Sequence, residues 1–299
     1  MHKHSPIFSH FAKNKFLFYL TNSNITIKSS IFININNILS CFRSKILISS
    51  SSFTDFDGKI SEANDHLISC FESISISFIS NIVSNISLFT NIAYFSKSFP
   101  NISFSITNCS FLSNLCFDCS GSVFYVSDLK INIEKNLFYL NMAKNVVSLF
   151  LECEKNGLEN CESFLTNNIF MLNSAILGVG AYKWEFLRPI SKNNSFTNNT
   201  AKYGDNFASF FCRLGLKLND LNNSLLVFDS FTSNYSDFFV LSNIVSTQIL
   251  PINLRLYPLD SYGQIILDKV NTIVQISISQ EDNSFINIKN LKIQLKISQ

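Results

Sequence analysis

Phe111-Leu112-Ser113-Asn114 and Phe138-Tyr139-Leu140-Asn141 are two copies of one small motif, a phenylalanine followed three residues later by an asparagine. The same spacing occurs at Phe78-Ile79-Ser80-Asn81, Phe170-Met171-Leu172-Asn173, Phe196-Thr197-Asn198-Asn199 and Phe231-Thr232-Ser233-Asn234. Successive copies are 33, 27, 32, 26 and 35 residues apart. A period in that range predicts stacked supersecondary units, each burying its apolar face against its neighbours.

Upstream of several of these phenylalanines, and of Phe32 and Phe53, runs an alternating segment: Ile25-Thr26-Ile27, Ile46-Leu47-Ile48, Phe104-Ser105-Ile106 and Ile131-Asn132-Ile133. Alternation points every second side chain to one face of a strand. Each coil therefore reads as strand, short polar turn, second strand beginning at Phe, and a turn at Asn. This predicts an all-β chain, a right-handed parallel β-helix over 1–240, with the phenylalanines stacked as core and the asparagines at the corners. Asparagine tolerates the left-handed backbone that tight corners demand. A short helix over 141–151 is disfavoured because Ser, Asn and Ile are weak helix formers. An ordinary antiparallel sandwich is the runner-up, against which stands the scarcity of Asn-Gly and Asp-Gly hairpin turns.

Coil length is irregular, and 51–66, 91–101 and 152–162 are the expected loop excursions; Cys153 and Cys161 stand where they could close the base of the last. From about Leu241 the motif stops and the strands lengthen. A small antiparallel β-sandwich, incomplete at the end of the chain, is expected over 241–299.

The chain has 299 residues, 46% of them hydrophobic and only 15% charged, with a net charge of +2. The length supports large cores. The weak charge offers no basic footprint for nucleic acid, and that class is excluded. No run reaches the ~18 apolar residues of a membrane span. No convincing secretory leader precedes the repeats, which by itself points to a soluble cytoplasmic protein. Unlike most repeat proteins, however, the chain has no obvious polar caps, so it is expected to be part of a longer protein whose signal and anchor lie elsewhere.

Eight cysteines, Cys41, Cys70, Cys109, Cys116, Cys119, Cys153, Cys161 and Cys212, allow 105 pairings, which spacing cannot resolve. Cys116-Phe117-Asp118-Cys119 has a CxxC spacing, but without a second CxxC or a nearby His it favours a buried pair or local disulfide over zinc or redox chemistry. His2, His4 and His10 are read as solvent-exposed. Sequons at Asn24, Asn85, Asn101, Asn108, Asn193, Asn198, Asn222 and Asn234 are about as many as the composition yields by chance. Asn108 and Asn198 fall inside the expected stack, where a glycan fits poorly.

Three stretches within 116–209 carry a family resemblance. They are Gly121-Ser122-Val123-Phe124-Tyr125-Val126-Ser127, Gly178-Val179-Gly180-Ala181-Tyr182-Lys183-Trp184 with Pro189 beyond, and the run Asn198-Asn199-Thr200-Ala201-Lys202-Tyr203-Gly204-Asp205-Asn206-Phe207-Ala208-Ser209. This region resembles the parallel β-helix repeats of large ciliate surface proteins, which are pectin-lyase-like in fold. Ser122 stands where that family has its second glycine. The resemblance implies an extracellular segment of a membrane-anchored protein.

Pectin-lyase-like folds include polysaccharide lyases and hydrolases, which need clustered or paired carboxylates. Asp55 and Asp57 are the best pair, but no second acidic cluster returns one coil away. Asp205, Asp229 and Asp260 are isolated. Trp184 and Arg188 could form a sugar-stacking patch, though a half-buried strand aromatic is the simpler reading of Trp184. The expectation is a non-catalytic structural and adhesive segment of a cell-surface protein that binds glycan or protein through solenoid loops. No catalytic, cofactor or metal residue is assigned, and a polysaccharide lyase or hydrolase is the alternative.

Overall fold

The computed structural model describes residues 18–33, 38–57, 66–72, 75–88, 91–96, 103–117, 123–153, 161–218, 225–229, 238–242, 254–266, 273–279 and 290–298. The described residues are all-β and contain no helix. Two compact units make up the chain, Met1–Ala208 and Ser209–Gln299.

In the first unit the chain visits three parallel sheets in a fixed order. Sheet A holds eight strands, Phe18–Thr21, Leu39–Phe42, Ile68–Phe71, Ala93–Ser96, Phe124–Ser127, Leu149–Glu152, Tyr182–Trp184 and Phe207–Ser209. Sheet B holds seven, from Asn24–Lys28 and Lys45–Ser49 through Lys130–Glu134 and Glu162–Thr166 to Ile190–Lys192. Sheet C holds ten, including Ile31–Ile33, Ser52–Asp57, Ile82–Leu88, Ser110–Leu112, Leu137–Tyr139, Ile169–Met171 and Ser195–Thr197. Every strand pairs with its counterpart one repeat away, an arrangement consistent with the expected parallel β-helix.

The inward rows carry the core. Phe32, Phe53, Val83, Phe111, Phe138, Phe170 and Phe196 are register partners along sheet C. Their rings stack wherever two phenylalanines are adjacent, at 4.9 Å for Phe32 and Phe53 and 4.8 Å for Phe138 and Phe170. That distance is the spacing between strands, so an in-register aromatic column needs no distortion. Phe124 of sheet A meets Phe104 of sheet B at 6.4 Å and Phe111 of sheet C at 4.9 Å, so the three sheets share one apolar interior.

Phe111, Phe138 and Phe170 are core and Asn114, Asn141 and Asn173 are corner residues, as the motif predicts. The copy at Phe78 is out of phase. Phe78 belongs to sheet B, opposite Ile48 and Ile106, and the sheet C partner of Phe111 is Val83. Hence the 33-residue spacing spans more than one repeat; the true offset is the 28 residues that separate Asn81 from Cys109. The copy at Phe231 lies outside the described residues.

Two rows of mostly buried side chains tie the corners. One, between sheets B and C, runs Ser30, Ser51, Asn81, Cys109, Asn136, Asn168, Asn194, each backbone N–H donating to the side chain one repeat on, as in Ser51 to Asn81 Oδ1 at 2.9 Å and Asn136 to Asn168 Oδ1 at 3.0 Å. The other is Asn114, Asn141, Asn173, Asn199. The left-handed conformation is taken by the residue before each of these asparagines, including Ser113 (φ 52), Leu140 (φ 54), Leu172 (φ 57) and Asn198 (φ 51). The side-chain amide thus acts as a hydrogen-bonding plug, and the expectation that it also occupies the left-handed region is corrected.

Two of the expected loops begin as strand: Ser52–Asp57 and Ala93–Ser96 are both in register with neighbours, and 58–65 and 97–101 lie outside the described residues. Their Ser- and Asn-rich flanks resemble a turn by composition, yet alternate residues face the core. Residues 154–160 lie outside the description, and Cys153–Cys161 closes the base of that excursion. Gly178 and Gly180 permit close approach between repeats, since a Cβ would fall 1.9 Å from the Asn145 carbonyl oxygen and 2.0 Å from that of Asp205.

In the second unit, strands Phe211–Leu218, Leu225–Asp229 and Leu254–Asp260 form one antiparallel sheet, and Phe238–Ser242, Ile273–Ser279 and Asn290–Ser298 another. Antiparallel pairing therefore begins at Phe211, earlier than the change of sequence texture near Leu241.

Candidate functional site

Sheet A turns two rows of side chains outward. The first is Tyr19, Ser40, Ser69, Tyr94, Tyr125, Phe150, Lys183; the second is Thr21, Phe42, Phe71, Ser96, Ser127, Glu152. Where serines replace aromatics in the first row the surface sinks. The recess has a volume of about 390 Å³ and is lined by Tyr19, Ser40, Cys41, Phe42, Phe71, Glu72 and Ser96. That is within the usual range for a small-molecule site, about 300–1,000 Å³. Tyr19 is 70% exposed and Phe71 42%.

At the rim Arg43 Nε donates to Glu72 Oε2 at 2.9 Å, and the Arg43 guanidinium lies 4.8 Å from the centre of the Phe42 ring. Beyond Phe71 the rings close up. His66 stacks on Tyr94 at 5.0 Å, Tyr94 on Tyr125 at 4.9 Å, and Lys183 sits 5.5 Å from the Phe150 ring centre. These rings face one another along the ladder and present mainly edges outward. The recess, with Tyr19 and Phe71 on its walls and serine hydroxyls beside them, offers both apolar and polar contacts to a ligand. The Tyr125 hydroxyl donates to Glu152, and burial, then that carboxylate, pushes the phenol well above its ordinary range.

The residues singled out in sequence are dispersed. Asp55 is exposed at a left-handed corner (φ 56) and accepts from Asn85 Nδ2 at 3.1 Å; the Asp57 side chain lies outside the description. Asp205 accepts from the Ala201 N–H. Trp184 is on the inward row and 5% exposed, so it offers no face to a sugar, and Arg188 is exposed. Cys116 is buried and disulfide-bonded. His2, His4, His10, Cys119 and the Asp229 side chain lie outside the described residues.

Asp260, which looked isolated in sequence, is fully buried within the second unit. Its carboxylate accepts from the N–H groups of Tyr262, Gln264 and Ser209 and from Gln264 Nε2. It organises the turn that ends its strand. Asp128, Cys153 and Cys161 bring three potential ligand atoms within 4.8 Å, but the two sulfurs are joined to each other and leave no thiolates for a metal. Sequence reasoning missed the sheet A recess. Its one signal is the serine at the second position of Leu39–Phe42 and Ile68–Phe71, where the next three repeats have Tyr94, Tyr125 and Phe150.

No family model matches the sequence, and neither a curated protein nor a solved structure matches it.

Proposed function

We propose that this chain is a non-catalytic structural and adhesive segment of a cell-surface protein: a right-handed parallel β-helix followed by a small antiparallel β-sandwich, binding a glycan in the recess of sheet A. The observation that carries this is the recess itself, with exposed Tyr19 and Phe71 beside serine hydroxyls and the Arg43–Glu72 pair. A sugar unit has an apolar face for aromatic contact and hydroxyls for the polar groups. The helical path is supported by the A, B, C order of parallel pairing, and its hand by the strong preference of parallel crossover connections.

Export is supported by the disulfides Cys41–Cys70 and Cys153–Cys161, which a reducing compartment disfavours. Asn24, Asn85, Asn108, Asn193 and Asn198, the five sequon asparagines among the described residues, are all exposed. Asn108 and Asn198 occupy outward corners, so the expectation that a glycan fits poorly there is corrected. The resemblance to ciliate surface repeats fits the same reading.

Two experiments test it. On a glycan array the full chain should bind, Tyr19→Ala with Phe71→Ala should weaken binding about tenfold or more, and Asp55→Ala with Asp57→Ala should leave it unchanged. Glycan cleavage that disappears in the aspartate variants would establish the lyase or hydrolase reading instead. A blot of the endogenous protein should shift with endoglycosidase and with reductant; a band near 33.9 kDa indifferent to both would refute the surface assignment.

A further inference from the structure

At the corner between sheets A and B, two successive repeats bring a carboxylate and two sulfurs together. Asp128 follows strand Phe124–Ser127, and Cys153 follows Leu149–Glu152, which pairs with that strand in register. Cys161 precedes Glu162–Thr166, which pairs with Lys130–Glu134. The Asp128 N–H donates to the Glu152 carbonyl at 3.1 Å, so the corner of one repeat is fixed beside the two cysteines of the next. Asp128 Oδ1 lies 4.0 Å from Cys161 Sγ, and the three potential ligand atoms all lie within 4.8 Å of one another.

Both cysteines are buried and Asp128 is half-buried. Ser127 Oγ donates to Asp128 Oδ2 at 3.0 Å, which holds the carboxylate with Oδ1 on the sulfur side. Cys153, Cys161, Glu152 and Ser163 border a small cavity of about 10 Å³, room for about one water. The Cα atoms of the two cysteines are 6.2 Å apart, so side-chain rotation brings both sulfurs onto one ion once they are no longer joined. A disulfide by itself requires neither the neighbouring carboxylate nor the cavity.

We propose that reduction of Cys153–Cys161 turns this corner into a zinc site, with Asp128 as the third protein ligand and a water in the fourth position. Two equivalents of a thiol reductant break the S–S bond; the reductant's sulfurs join, and their two hydrogens pass to Cys153 and Cys161. Zn²⁺ then displaces those two protons as two Zn–S bonds form, and Asp128 enters through its carboxylate. Two thiolates with one oxygen suit tetrahedral zinc, whereas calcium and magnesium take oxygen ligands alone. The Cys153–Cys161 link is thereby held in either redox state, by the disulfide in an exported chain and by zinc in a reducing compartment. None of this depends on what the sheet A recess binds.

Titration of the full chain with Co²⁺ and then Zn²⁺, after reduction by a phosphine that leaves no competing thiol, reads the result. Reduced wild type should develop a thiolate-to-cobalt charge-transfer band that zinc bleaches, and Cys153→Ser with Cys161→Ser should bind one equivalent of ion fewer. Asp128→Asn should weaken that equivalent about tenfold or more. Asparagine suits the left-handed backbone of Asp128 (φ 57), so this variant removes a ligand and keeps the fold. Cys41→Ser with Cys70→Ser should leave the same equivalent in place. Zinc should raise the melting temperature of the reduced wild type and not that of the Cys153→Ser, Cys161→Ser variant. The proposal is overturned by a reduced wild type that shows no band, by an unchanged ion count in the Cys153→Ser, Cys161→Ser variant, or by equal affinity in Asp128→Asn. A reduced chain that loses its circular dichroism whether or not zinc is present overturns it as well.

Discussion

Asn114 donates both its backbone N–H and its side-chain amide to Oδ1 of Asn141, at 3.1 and 2.9 Å. Asn141 repeats the act toward Asn173 at 3.1 and 3.0 Å, and also donates to the Phe111 carbonyl at 3.0 Å. Its amide group thus accepts twice and donates twice, the full capacity of the group, while 1% exposed. The ladder can be buried because each member is saturated by its neighbours.

Asn141→Ala should therefore be severe. It removes the acceptor for two Asn114 donors and the donor for the Phe111 carbonyl, leaving buried groups unmade. Each such group costs about 1–3 kcal/mol, so a total of about 3–5 kcal/mol is expected. Urea unfolding, compared with Asn132→Ala on an exposed position of sheet B, measures it.

Cys109 interrupts the other ladder. Its sulfur receives the Asn81 N–H at 3.4 Å and Asn81 Nδ2 at 3.9 Å, longer contacts than the 2.9 and 3.0 Å that oxygen makes elsewhere in the row. Cys109→Asn should complete the row and stabilise the fold by about 1 kcal/mol. A lower melting temperature in this variant would show that the thiol is preferred there for packing.

Burial pushes the Cys109 thiol up, against smaller opposing hydrogen bonds from Asn81. Tyr125 is raised too, first by burial and then by Glu152. In both cases the folded state holds its proton longer than the unfolded chain. Their contributions to stability are complete below the unfolded values, about 8.5 for Cys and about 10 for Tyr, and are lost as pH rises through the raised folded ones. Chemical denaturation from neutral to strongly alkaline pH should show stability falling above about 8.5, with a smaller fall in Cys109→Ala.

Cys41 and Cys70 are register partners on adjacent sheet A strands and their disulfide closes a 29-residue span. Loop-closure entropy alone makes that link worth about 3–4 kcal/mol, against about 2–3 kcal/mol for the 8-residue span of Cys153–Cys161. Cys41→Ala with Cys70→Ala should lower the melting temperature more than Cys153→Ala with Cys161→Ala.

Gly178→Ala should destabilise by about 2 kcal/mol or more, because the added methyl meets the backbone of Asn145, which cannot swing aside as a side chain does. Gly263→Ala, with open space around its Cβ, is limited to the strain of its positive φ of 78°. Thermal melts of the two variants give the comparison.

What the sequence determined by itself was the kind of repeat. Alternating segments and recurrent phenylalanines imply strands that bury one face, and that information is local, so Phe111, Phe138, Asn114 and Asn141 could be placed without coordinates. Phase was not local. Phe78-Ile79-Ser80-Asn81 matches the motif in every residue that mattered, yet it turns the B–C corner, and only its pairing with Ile48 and Ile106 reveals that. The tertiary structure also decided which residues face outward together. Tyr19, Ser40 and Ser69, or Leu112, Tyr139 and Met171, become neighbours only because parallel pairing brings residues 21 to 32 positions apart to one strand spacing. Insertions of unequal length between repeats hide that adjacency from any fixed period, whereas the backbone hydrogen bonds that set the register ignore insertion length.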